Sequence, residues 1–145
     1  MAMGYYVRLF TTSLLGTLVP LQAQMLQQNY HVKPVGTNQL DIHYDANRSP
    51  LTADLTHSGN DTTRKEIEHF IERVASLKNE PDQNLVLDVL ARTQSLIAIG
   101  VPEDYDHEND TLTRLVDIVA NFAEGLFQVD GEGFYDGSNL ILRLN

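Results

Sequence analysis

Apolar and polar residues alternate at two neighbouring places in the chain. Leu40, Ile42 and Tyr44 interleave with Asp41, His43 and Asp45, and Leu51, Ala53 and Leu55 interleave with Thr52, Asp54 and Thr56. A period of two puts each set on one face of a strand, so residues 40–56 predict a hairpin with one dry and one wet face, turned at 47–50. Tyr5, Tyr6, Val7, Leu9 and Phe10 predict an opening strand. The unbroken run Leu96-Ile97-Ala98-Ile99 suits a central strand buried on both faces. Residues 126–135 and 140–144 predict a closing hairpin, turned at Asp136, Gly137, Ser138 and Asn139.

Between these runs the apolar period lengthens to that of a helix. Residues 13–29 predict an irregular first helix, with Pro20 in its first turn and Leu21 and Met25 on one face. Asn60-Asp61 is an N-cap pair ahead of Ile67, Phe70, Ile71, Val74 and Leu77. Pro81 opens a further helix carrying Leu85, Val86, Val89 and Leu90. Asn109-Asp110 precedes the stripe Leu112, Leu115, Val116, Val119 and Phe122, with Gly125 as its expected stop. Pro34, Gly36 and Asn38 read as loop.

The order predicts an α+β fold in a single domain, 1–145. It has two strand-helix-strand-strand units, about 4–56 and 93–145, joined by two helices at about 61–91. His43-Tyr44-Asp45 and Phe134-Tyr135-Asp136 precede the two hairpin turns, which makes an internal repeat a candidate. Paired units predict an antiparallel-dominated sheet of about six strands with helices on one face. This element order is similar to that of the gyrase-inhibitor-like ligand-binding domains. The resemblance is one of order and not of motif, and it implies a groove between the halves.

Composition narrows the function classes. Of 145 residues, 42% are hydrophobic and 21% charged, which suits a packed core. No apolar run is long enough for a membrane span, and the absence of cysteine excludes disulfides, thiol catalysis and Cys-ligated metals. The formal charge is −10 and argues against nonspecific nucleic-acid binding. The charge is uneven. Residues 1–40 hold Arg8 and Lys33 and no acid, whereas 101–145 hold ten acids against Arg114 and Arg143. Residues 9–23 are mildly apolar and follow Arg8, but Thr, Ser, Gly and Pro interrupt them. A cytoplasmic location is therefore expected, with secretion as the lesser alternative.

Three groups of residues are candidates for chemistry. Asp130 and Glu132, two apart on an expected strand, would project carboxylates from one face beside Tyr135, with Arg143 opposite one of them as an ion-pair partner. Asp104, Asp106 and Glu108 belong to the densest acidic stretch, 103–110, which departs from a calcium-binding loop at Asn109 and Leu115. Asp41 and His43, with Asp54 across the hairpin, form a weak candidate metal set. There is no Gly-x-Ser-x-Gly elbow, Walker loop or dinucleotide fingerprint, and no cofactor is expected. Tyr5, Tyr6, Phe10, Tyr44, Phe127, Phe134 and Tyr135 read as core, since no basic residues interleave with them.

The function expected is a non-catalytic binding or interaction module, of inhibitor or immunity type, with the acidic C-terminal half as contact surface. Its partner would be a protein, a basic one or a second copy paired through a strand edge. The alternatives are a small-molecule groove between the two halves and a metal-dependent hydrolase built on the paired carboxylates.

Overall fold

A computed structural model describes residues 3–144. Within them the elements run β1 (Met3–Thr11), α1 (Val19–Gln27), β2 (His31–Gly36), β3 (Gln39–His43), β4 (Leu51–His57), α2 (Asp61–Ala75), α3 (Gln83–Ala91), β5 (Ser95–Pro102), α4 (Thr111–Phe122), β6 (Gly125–Val129), β7 (Gly133–Asp136) and β8 (Asn139–Arg143). The class is α+β. All eight strands join one sheet in the order β2-β3-β4-β5-β1-β6-β7-β8, with every neighbouring pair antiparallel.

Eight strands replace the six expected, and both extra strands have local causes. Residues 31–36 form an edge strand despite Pro34 and Gly36, because an edge leaves one side of the backbone unpaired and tolerates a missing N–H. Residues 126–135 are two strands, because Asp130, Gly131 and Glu132 turn the chain between β6 and β7. Gly131 has φ +80°, and the Glu132 N–H donates to the Val129 carbonyl at 3.0 Å across the turn. The two strand-helix-strand-strand units do not occupy equivalent places in the sheet. The strand nearest the centre is β4 in the first half, the last of its meander, and β6 in the second, the first of its meander.

The helices cover both faces of the sheet, not one. Alternation along β1 separates the two cores. Val7 and Leu9 point toward α1 and α4, with Leu21, Met25, Leu115, Ile118 and Val119. Phe10 points the opposite way, toward α2 and α3, with Ile67, Phe70, Val74, Val86 and Leu90. The run on β5 is buried on both faces as expected. Asn60 caps α2 as expected, its side-chain oxygen accepting from the Thr63 N–H at 3.2 Å. Leu85 is exposed instead of facing inward. Gly125 opens β6 rather than stopping α4. A Cβ there would lie 2.0 Å from the Phe10 carbonyl oxygen, so only glycine lets β6 close onto β1.

One consequence of the layering shapes the surface. Eight strands at about 4.8 Å spacing span roughly 34 Å, whereas two helices of about 10 Å diameter cover roughly 20 Å. The pair α1 and α4 therefore leaves part of its sheet face open beyond α4, over β6 and β7.

Candidate functional site

The open part of the face is a groove of about 590 Å³. One wall comes from α4. The rows of this helix separate by depth: Leu115, Ile118 and Val119 are buried, while Leu112, Val116 and Ala120, four apart, line the groove with Thr113 and Asp117. The floor is a patch of side chains on one sheet face, Tyr5 and Val7 from β1, Phe127 and Val129 from β6, and Tyr135 from β7. Register holds this patch together, because Val7 faces Val129 and Phe127 faces Tyr135. Glu132 and the β7–β8 turn at Gly137 and Ser138 close the far side.

Polar groups gather at the rim. The Tyr135 hydroxyl donates to Glu132 Oε1. This hydrogen bond, followed by desolvation and the charge of Glu132, raises the Tyr135 pKa above its ordinary value. Burial and then the Glu132 charge do the same to Tyr5. The Tyr5 hydroxyl also meets His107 Nε2 at 3.2 Å, and the two rings stack.

Asp130 and Glu132, expected to act from one strand face, are parted by the turn they occupy. Asp130 belongs to the opposite face of the sheet. Arg8 there donates to Asp130 Oδ1 at 2.6 Å, to Glu66 Oε2 on α2 at 3.0 Å and to Gln128 Oε1 at 2.8 Å. The guanidinium also lies 5.3 Å from the ring centroids of Tyr6 and Phe70. Arg143, expected opposite one of these acids, pairs with neither, because the turn shifts its register to face Gly133. The partner of Asp130 is thus an arginine at the other end of the chain.

Burial alone would raise the Asp130 carboxyl. The Gln128 amide, the Tyr6 N–H at 3.0 Å and the Arg8 guanidinium outweigh it and hold the group below the usual carboxylate range. Its contribution to stability is therefore complete above the unfolded-chain value of about 3.9 and is lost as pH falls through the lowered folded value. Asp130→Asn is expected to cost about 1 kcal/mol at pH 7, a modest figure because the side chain is 36% exposed. Urea unfolding between pH 7 and pH 3 checks this: the gap between wild type and variant begins to narrow as pH falls below about 3.9, and a constant gap contradicts it.

The acidic stretch forms the loop between β5 and α4, and two of its carboxylates, Asp104 and Asp106, accept local hydrogen bonds through one oxygen each, while Asp104 Oδ1 is buried without a partner. Asp104 Oδ2 accepts from the Ser49 N–H at 3.1 Å, and Arg48 donates to the Asp104 carbonyl at 2.6 Å. Asp106 Oδ1 accepts from the Glu108 N–H at 3.0 Å, while the Tyr44 hydroxyl accepts from the Asp106 N–H at 3.0 Å. These contacts pin the loop to the β3–β4 turn. Glu108 is exposed.

The hairpin set separates as well. Asp54 faces Gln39, whereas His43 lies four residues further along β3, opposite His31. At about 3.3 Å per residue that is roughly 13 Å from Gln39. Asp41 is near enough to matter: burial, then the Asp41 charge, raises the Asp54 carboxyl, while the Gln39 hydrogen bond lowers it. Among the described residues no group of three or more His, Asp and Glu is placed to hold a metal ion.

Sequence reasoning placed Glu132 and Tyr135 at the site but missed Tyr5, Val7, Phe127 and the outer row of α4. An aromatic on one sheet face reads as core whether or not a helix covers it. Comparison with known protein families, with curated protein sequences and with solved structures gave no match. Among the described residues no helix is long and apolar enough to cross a membrane.

Proposed function

We propose that this protein is a non-catalytic binding module whose receptor surface is the groove between α4 and strands β1, β6 and β7. The observation that carries the reading is a sheet face left partly uncovered, floored by Tyr5, Phe127 and Tyr135 and rimmed by a few polar groups. An apolar concavity of a few hundred Å³ with sparse polar groups is the usual form of a small-molecule site. The volume of about 590 Å³ falls in that range. Most of the lining comes from the acidic C-terminal half, the part expected from the sequence to make contact. The groove is that of one crossover helix with the sheet, not a cleft between repeats.

The test uses a neutral fluorescent naphthylamine dye and exploits the absence of tryptophan from the chain. Native protein is expected to bind the dye saturably. Ala120→Trp, which fills the groove from the exposed outer row of α4, should weaken binding about tenfold while leaving the melting temperature nearly unchanged. Quenching of the new tryptophan by residual dye reports the location. Dye fluorescence that rises only on unfolding overturns the reading.

A further inference from the structure

We infer that the groove takes an organic cation, an amine attached to an aromatic or branched apolar body; the inference rests on the groove being the receptor surface. The charged side chains on its lining are Asp117 on α4 and Glu132 at the β6–β7 turn, both at the rim, and among the described residues no Lys, Arg or His joins them there. Arg143, on β8 outside the lining, lies near enough to Tyr135 to lower its pKa slightly, opposing Glu132. His107, also outside the lining, meets the groove only through Tyr5. The local balance is thus negative, on a chain of net charge −10 whose field attracts cations and repels anions.

The walls suit the rest of such a ligand. Tyr135, bonded to Glu132, and Tyr5, which feels the Glu132 charge, put aromatic rings near that carboxylate, and ring faces attract an ammonium group. Leu112, Val116, Val7 and Val129 line the remainder with aliphatic surface that would bury a hydrocarbon body. Tyr135 occupies one oxygen of Glu132 and leaves the other to accept from an ammonium. An anion of the same shape would meet two carboxylates with no compensating charge on the lining.

Three isosteric probes separate charge from shape: 4-phenylbutylamine, 4-phenylbutan-1-ol and 4-phenylbutyrate, titrated calorimetrically at low ionic strength. The amine is expected to bind about tenfold more tightly than the carboxylate, with the alcohol between them. The double variant Glu132→Gln, Asp117→Asn should bring amine and alcohol within about twofold of each other. The amide introduced by Glu132→Gln retains an oxygen for the Tyr135 hydroxyl, so the rim hydrogen bond survives. If the alcohol binds wild type as tightly as the amine, the cation assignment falls and the groove reading stands. If the amine preference survives the double variant, the cation is held elsewhere and the assignment falls. If none of the three binds, the groove reading falls and takes this inference with it.

Discussion

Gly133→Ala is expected to cost about 3 kcal/mol of folding stability, against about 1 kcal/mol for Gly131→Ala two residues earlier. Both residues have positive φ, +146° at Gly133 and +80° at Gly131, so both substitutions strain the backbone. They differ in space. A Cβ on Gly131 meets nothing within 4 Å, whereas one on Gly133 would lie 2.0 Å from the Leu142 carbonyl oxygen and 2.8 Å from the Arg143 Cα. Those are backbone atoms of β8 and cannot swing aside, so strain and overpacking add. The strand must move away, and it carries the buried Leu142. Urea unfolding gives the two costs, and hydrogen exchange at the β8 amides shows which strand yields. Equal costs would mean that the β7–β8 approach is looser than described. The structure identifies what approaches Gly133: another strand's backbone.

Phe10→Ala is expected to remove about 3–5 kcal/mol, a large part of the stability of an ordinary domain. Phe10 is fully buried on β1 at the centre of the sheet. Its ring contacts Phe70 of α2 edge-on at 5.4 Å and Phe134 of β7 at 6.0 Å, and those two rings meet each other at 6.1 Å. Three elements far apart in sequence therefore share one aromatic cluster, and truncating its central member leaves a cavity bordered by the other two. Phe10→Leu keeps most of the volume and should cost less than about 1.5 kcal/mol. Chemical denaturation of both variants gives the comparison. A loss below about 1 kcal/mol for Phe10→Ala would mean that α2 and α3 do not pack on this face as described.

Much of the fold was legible where one local rule decided the outcome. The alternation at 40–44 and 51–56 marked β3 and β4. The continuous run at 96–99 marked a strand buried on both faces, and Asn60 marked the start of α2. Elements decided by distant partners were not legible. Pro34 and Gly36 carry turn chemistry, and only the edge position of β2 lets them stand in a strand. The bend at 130–132 does carry an Asp-Gly turn signal, which the strand-forming residues on either side outweighed in the reading of 126–135 as one strand. Missing it put Asp130 and Glu132 on one face and gave Arg143 the wrong partner. Which face each helix covers depends on the crossovers and on no stripe within the helix. The groove, being the area those helices fail to cover, was hidden for the same reason.

The position of β1 also bears on how the chain reaches its fold during synthesis. This strand lies between β5 and β6, yet Thr11 precedes Ser95 by about eighty residues. A nascent chain that has emerged only through α3 holds β1 with neither of its sheet neighbours, so both backbone edges of the strand are unpaired. Sheet closure around β1 must therefore wait until β5 and β6 are available, and loop closure over that span is the slow step such a topology imposes. Until β5 arrives, β1 offers two open backbone edges to any other strand, the usual template for mispairing.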